Sequence, residues 1–403
     1  MEKAKLLEAM NLACNWISDV AQVKSDKLTV ENNSQGFEYD SWKGAIRGEY
    51  SCKSKEWDFF CPVWHTGQAV KALIKAYKLT RNPKCLESAK LGAEFIKNVQ
   101  IYDKSSVDFG LILAFEDKPA QVNTSAILEC LDGLMHLAEL ENDSELWNRI
   151  ISAGEFVANK AYNSELGLFR DLYDPKTHEF VPKVYRAKDN KDGRPLIDDA
   201  IFIKLYEKTG EKKYLDIHVR VSETLVQDQR PKGNWVDYGP CDAERMMFHP
   251  RHTYWWGKPL LDTYRKTGRR EFLDTAIASG EFTLKGMRVD GGWIRGLVLE
   301  SENPLCLNTQ SFGHATSGSA CASILFMELH KETQDEKWRE SSELAIEYCM
   351  RMQVRQADDP NMQGVIIEKV LYPDGTDKNP YHIRDLGTIF FIQSAVEYIS
   401  RYF

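Results

Sequence analysis

Tyr77-KLTRNPKCLESA, Ala138-ELENDSELWNRI, Tyr206-EKTGEKKYLDIH, Tyr264-RKTGRREFLDTA and His330-KETQDEKWRESS are five versions of one segment, with starts 61, 68, 58 and 66 residues apart. Each reads as the end of a helix, a short polar turn containing Gly, Asn or Asp, and a new helix opening around a bulky residue. A glutamate stands seventeen residues after every start, at Glu94, Glu155, Glu223, Glu281 and Glu347, and Phe or Tyr follows it in four of the five. Agreement in all five copies identifies a repeated helical hairpin. The glutamate, present in every copy, reads as structural.

Working outward, the helix before each turn mixes apolar residues at helical spacing with Gly, Ala and Ser, as in Thr66-GQAVKALIKAY, Ser125-AILECLDGLMHLA and Ser317-GSACASILFMEL. Small residues suit helices packed on several sides, whereas the helices after the turns carry the single apolar stripe of an outer layer. Residues 4–23 supply a first outer helix and 384–403 a last inner one, which completes six pairs. Leu386-GTIFFIQSAVEYI is too apolar for the free end of an open array, which needs a polar cap. The expected fold is therefore all-α: an (α/α)6 toroid over residues 1–403 as a single domain.

Composition agrees with this and narrows the function. The 403 residues are 43% hydrophobic and 28% charged, with 25 Gly, 14 Pro and no polar low-complexity tract, which excludes disorder, collagen and a small disulfide scaffold. Fifty-two basic against 60 acidic side chains leave −8, the wrong sign for a nucleic-acid or anionic-membrane surface. No apolar run approaches a membrane span, and Met1–Met10 lacks the apolar centre of a signal peptide, so a cytoplasmic location is expected. The nine Cys form an odd count with no Cys-x-x-Cys pair, which reads as buried reduced thiols rather than disulfides or a zinc cluster.

Turns from inner to outer helices are short. The returns, about 24–63, 98–121, 163–193, 228–250, 289–312 and 354–382, are long, emerge on one face and lead into the N-termini of the inner helices. Exposed N–H groups and the positive dipole end make that face suited to anionic or hydroxyl-rich ligands. Trp42, Trp57, Trp64, Trp235, Trp255, Trp256 and Trp293 all lie there, a set suited to stacking on sugar rings. His65, His252 and His314 open three inner helices, and His249 and His382 lie just upstream. Asp198 and Asp199, after Arg194-Pro195, fall in the first turns of another inner helix. There, adjacent side chains diverge by about 100°, sending one to the cleft and the other to a neighbouring helix. Asp237, Asp290, Glu300 and Asp385 are lesser carboxylate candidates. Arg186, Arg251, Arg295 and Arg384 could read a substrate carboxylate through forked hydrogen bonds. No phosphate-loop or nucleophile-elbow pattern is present, and Ser317-Gly318-Ser319 reads as packing.

The hairpin repeat, the Trp-rich face and the motifs Trp64-His65-Thr66-Gly67, Leu196-Ile-Asp-Asp-Ala and Arg251-His-Thr-Tyr-Trp-Trp-Gly-Lys-Pro-Leu-Leu resemble the six-hairpin glycosidase superfamily along the whole chain. The layout is most similar to the unsaturated glucuronyl and rhamnogalacturonyl hydrolases. That resemblance implies a glycoside hydrolase acting on uronate-containing oligosaccharides, in which an inner-helix Asp protonates the vinyl-ether double bond and activates water. Asp198 is preferred over Asp199 for that role, with His252 and His314 as assisting groups. Trp64, His65, Asn123, Arg186, Trp235, Arg251, Tyr254, Trp255, Trp256, Trp293, Arg295 and Arg384 are the candidate substrate-binding residues. Its segment Arg-Gly-x-x-Trp is only approximated by Arg251-His-Thr-Tyr-Trp-Trp. Two alternatives stay open: a lyase or sugar epimerase of the same fold using Tyr254, His252, His314 and Arg251, and a non-catalytic oligosaccharide-binding protein. No metal or other cofactor is expected, since proton transfer needs none and no ligand set appears. The expected partner is an oligosaccharide.

Overall fold

The recurring turn is built on one hydrogen bond. In each copy the residue four positions after the segment start adopts the left-handed conformation and donates its N–H to the carbonyl of the start residue: Arg81 to Tyr77, Asn142 to Ala138, Gly210 to Tyr206, Gly268 to Tyr264 and Gln334 to His330. This closes one helix, and an extended residue then opens the next. Asn82, Asp143 and Asp335 cap those next helices by accepting from backbone N–H groups of Lys84, Leu146 and Lys337.

The computed structural model describes residues 1–403 apart from 27, 29–30, 117–119, 182–192, 242, 244–245, 294–296, 300–304, 308–314 and 369–381. Among the described residues twelve α-helices alternate between two layers. The outer helices are α1 (Lys3–Trp16), α3 (Pro83–Asn98), α5 (Ser144–Phe156), α7 (Lys212–Gln227), α9 (Arg270–Gly286) and α11 (Glu336–Arg351). The inner ones are α2 (Pro62–Thr80), α4 (Thr124–Glu141), α6 (Ile201–Thr209), α8 (Lys258–Thr267), α10 (Thr316–Thr333) and α12 (Leu386–Tyr402). Helix α12 packs on α10, on α2 and on the first outer helix α1, so the inner layer closes into a ring. The (α/α)6 toroid expected from the repeat is the architecture of the chain.

Burial follows the layers. Every residue of α12 from Leu386 to Val396 is buried, whereas α7 buries Tyr214, Ile217, His218, Val221, Ser222, Thr224 and Leu225, one stripe at helical spacing. Inner helices approach closely where they carry glycine. A Cβ on Gly67 of α2 would lie 2.3 Å from the Cα of Cys130 on α4, and one on Gly133 of α4 would lie 2.1 Å from the Gly67 carbonyl oxygen. Three of the five recurring glutamates join successive outer hairpins: Glu155 meets Lys213 at 2.5 Å, Glu223 meets Arg269 at 2.5 Å and Glu281 meets Lys337 at 2.6 Å, whereas Glu94 pairs with Lys97 on its own helix. These pairs are partly exposed and stabilise weakly, each by no more than about 1 kcal/mol. Of the eight cysteines whose side chains are described, seven are buried.

The long returns fold into small sheets that the helical pattern did not predict. One joins Glu31–Asn32, Glu56–Phe59, Gly48–Ser51 and His382–Arg384 in that order, stitching the last return to the first across the closure of the ring. Among the described residues no helix is long and apolar enough to cross a membrane.

Two substitutions test this account by equilibrium urea unfolding. Gly67→Ala, forcing a methyl against backbone, is expected to cost about 3 kcal/mol or more. Gln334→Gly, which frees a left-handed position of its Cβ penalty, is expected to stabilise by about 1 kcal/mol.

Candidate functional site

The two adjacent aspartates have opposite environments. Sequence reasoning placed both inside an inner helix, but α6 starts only at Ile201, and Asp198–Ala200 form a short 3-10 turn. Asp199 and Ala200 are left-handed there, with φ of 51° and 53°, a conformation L-residues hold only when surrounding contacts compensate. The compensation is visible at Asp199. Its Oδ1 meets Lys71 Nζ at 2.5 Å, and its Oδ2 accepts from Gln68 Nε2 at 3.0 Å and from the Tyr254 hydroxyl at 2.9 Å. Lys71 also pairs with Asp132 at 2.9 Å. Burial opposes the charge on Asp199, yet the Lys71 ammonium holds its carboxyl below the usual range. Beside this turn along the ring axis is a cavity of about 230 Å³ lined by residues of all six inner hairpins, including Lys71, Asp132, Asp199, Tyr254, Cys321 and Gln393.

Asp198 is 1% exposed, and neither carboxyl oxygen has a hydrogen-bond partner among the described residues. Burial pushes its pKa up to about 8; Arg194 and the residue's own backbone N–H oppose the rise, and Asp199 and Asp171 add to it. A carboxyl raised in this way holds its proton to higher pH than an ordinary aspartate, as a general acid must. Glu129, one to two turns into α4, belongs to the same electrostatic group. Burial and the Asp198 charge push it well above the carboxylate range, against the pull of Arg194 and Arg251. The loop entering the turn is held by Trp256, whose Nε1 donates to the Pro195 carbonyl at 3.0 Å. Arg194 also anchors it by donating to Ser125 Oγ at 3.0 Å.

Arg251 lies between two indoles, its guanidinium 5.3 Å from the Trp64 ring centre and 5.2 Å from that of Trp255. Its Nε and Nη1 are buried without hydrogen-bond partners. Stacking leaves the in-plane donors of a guanidinium free for a carboxylate. The Trp64 indole N–H and both amide atoms of Asn123, at the entry to α4, are likewise buried without partners. His65 Nδ1 approaches Asp385 Oδ1 at 2.6 Å with both side chains inaccessible, and burial raises the Asp385 pKa against the pull of His65.

Other expected site residues go elsewhere. His252 has Asn234 Nδ2 and the His249 carbonyl each 3.1 Å from Nδ1, and Thr283 Oγ1 on outer helix α9 3.1 Å from Nε2. Burial lowers its pKa to about 4, and both ring nitrogens have partners in the surrounding wall. Tyr254, whose hydroxyl accepts from Gln68 and donates to Asp199, has a pKa raised well above normal, chiefly by burial, and is spent on the turn. Trp235 and Trp293 are 0% exposed and Trp256 1%, so these rings brace the loops and present no stacking face. The Trp235 N–H donates to the Leu225 carbonyl at 2.7 Å. Arg384 pairs with Glu49 and lies over the Phe60 ring, a staple of the closing sheet. Asp237 and Asp290 pair with Arg230 and Arg288. The Ser317 hydroxyl donates to Glu368 at 2.5 Å. Arg186, Arg295, His314 and Glu300 lie outside the described residues. No cluster of three or more His, Cys, Asp or Glu suited to a metal occurs among the described residues.

Glu129, Gln68 and Lys71 were missed. All three lie on inner helices whose small-residue pattern reads as packing, and the usable signal was three polar residues on faces that helical spacing turns toward the axis.

No family model and no curated protein sequence matches the chain. Solved structures do. A D-mannose isomerase superposes with a TM-score of 0.67 at 12% identity, covering 99% of this chain and 98% of its own. Cellobiose 2-epimerase from Bacillus thermoamylovorans B4167 reaches 0.69 at 11% identity, covering 97% of this chain and 99% of its own. An unsaturated glucuronyl hydrolase specific for heparin reaches 0.69 at 12%, covering 99% and 98%. The chain therefore has the six-hairpin glycosidase fold throughout its length; at such identities the likeness extends to fold alone.

A buried carboxyl with a raised pKa makes stability depend on pH. The unfolded Asp ionises near about 4, so between that pH and about 8 the folded state binds the extra proton and wild-type stability falls as pH rises. Asp198→Asn, which cannot ionise, is expected to match the wild type near about pH 4 and to exceed it by several kcal/mol near about pH 9. Thermal unfolding at the two pH values checks this, and equal Tm differences at both would refute the raised pKa.

Proposed function

We propose that the protein is a carbohydrate-active enzyme in which Asp198 donates a proton to a uronate-containing oligosaccharide, and that the reaction is hydrolysis of an unsaturated uronyl sugar. The carrying observations are a buried carboxyl with a raised pKa and an arginine set between two indoles, its Nε and Nη1 lacking partners among the described residues, with Glu129 under the influence of both. In this reading Arg251 takes the substrate carboxylate, while Trp64 and Trp255 hold the guanidinium rigid. Asn123 and Glu129 offer hydrogen-bonding groups to sugar hydroxyls. The proton of Asp198 adds to the carbon–carbon double bond, and the ring oxygen stabilises the cation that forms. Water adds to that cation and returns a proton to the Asp198 carboxylate, and the hydrate then expels the aglycone.

A second reading, sugar epimerisation or isomerisation, is favoured by the buried His65–Asp385 pair. With a carboxyl 2.6 Å from one ring nitrogen, the other nitrogen has no partner among the described residues and is available for proton transfer. The glucuronyl hydrolase and the epimerase and isomerase of similar fold leave both chemistries in view.

Unsaturated uronyl disaccharides separate the two. Hydrolysis is expected to bleach the enoate absorbance, with turnover falling as pH rises through about 8 because the acid form is lost. Asp198→Asn is expected to lower kcat by about 10³-fold or more. Arg251→Met is expected to raise KM for the anionic substrate by at least about tenfold. An unchanged enoate signal, together with solvent deuterium entering a neutral mannose or cellobiose substrate in a His65-dependent manner, would instead establish the second reading.

A further inference from the structure

The proton-donor reading of Asp198 gives no role to Lys71, a buried cation that contributes nothing to an apolar core. Burial works against its charge, yet the carboxylates of Asp132 and Asp199 more than offset this and its pKa is raised. It sits on α2 one turn beyond Gln68, and both side chains reach across the axis to the same carboxylate, that of Asp199. Asp199 and Ala200 are left-handed, and neither is glycine. Such a pair persists only when held from outside.

The relaxed alternative is easily stated. With right-handed backbone at Asp199 and Ala200, α6 would extend by about half a turn toward its N-terminus, and Asp198 would stand at the N-cap. An N-cap aspartate accepts hydrogen bonds from the backbone N–H groups two and three residues on, which favours its ionised form. The left-handed turn denies Asp198 those donors.

We propose that Lys71 is a positioning residue: its ion pair with Asp199 holds the left-handed turn and thereby keeps the Asp198 carboxyl from capping the backbone N–H groups two and three residues on. This rests on the reading of Asp198 as proton donor. The charged groups facing Asp198 are Arg194, Asp171 and Asp199, together with Glu129 from α4. Those facing Asp199 are Lys71 from α2, Asp132 from α4 and Lys204 from α6, and the Tyr254 hydroxyl completes the set.

Field and position have opposite signs, which makes the proposal testable without knowing the substrate. Removing a cation raises the pKa of a nearby carboxyl through the field alone, whereas relaxing the turn into an N-cap lowers it. The readout is infrared absorption of the protonated carboxyl, assigned to Asp198 by its absence in Asp198→Asn and titrated in the wild type and in Lys71→Met. In Lys71→Met the band is expected to vanish at a pH lower by about two units or more. Titration at the wild-type pH or above overturns the proposal. Should the single variant fail to fold, Lys71→Met/Asp199→Asn removes both members of the pair. Its crystal structure is expected to show right-handed residues 199–200 and Asp198 accepting backbone N–H groups. A retained left-handed turn with Asp198 unpartnered overturns the proposal equally. Absence of the Asp198 band from the wild type at neutral pH is a different failure, that of the proton-donor reading itself.

Discussion

A buried ammonium on the axis of a ring of helices has to be paired, and Lys71 is paired twice, with Asp132 of α4 and Asp199 of the turn before α6. Removing one member of such a pair leaves an uncompensated buried charge, at a cost of roughly 3–5 kcal/mol. That requirement fixes how three successive inner helices meet. It coexists with the contact of Gly67 and Gly133, which brings α2 and α4 close enough for Lys71 to lie between the two carboxylates. The centre of the ring is therefore polar and tightly specified, while the apolar core occupies the space between the layers.

The site follows from that centre. The axial carboxylate is tied down, whereas its neighbour is buried at the N-terminal end of the inner ring among Arg194, Asp171 and Glu129. A carboxyl in such a place keeps its proton, and keeping it lowers the stability of the fold at alkaline pH. Strain at Asp199 and Ala200, unpartnered donors on Arg251 and Asn123, and a neutral buried acid are all local costs, carried by the surrounding hairpins. Concentrating such costs in one place is what a binding or catalytic site requires.

The aromatic face divides into two groups. Trp64 and Trp255 flank a cation, whereas Trp235, Trp256 and Trp293 are sealed into the loops, and Trp256 reaches the carbonyl just ahead of the aspartate pair. The sequence locates these tryptophans in the long returns or the first turns of inner helices but not their roles. Whether an indole braces a loop or meets a ligand depends on which residues from other returns cover it. His252 shows the same limit: its position at the start of an inner helix is legible, but Thr283 and Asn234, which occupy its ring, come from other elements.

What the sequence determined by itself is the ring. The turn between inner and outer helices is one local hydrogen bond, from a left-handed residue to the carbonyl four positions earlier, so five copies write themselves into five stretches of chain. The mixture of small and apolar residues then separates inner helices from outer ones. Tertiary structure alone decided which aspartate is free. Asp198 and Asp199 are adjacent and chemically identical, and both were expected inside a helix. Lys71 and Gln68, more than 120 positions away, draw one of them to the axis, and the backbone takes a left-handed course that no local preference of Asp-Asp-Ala would select.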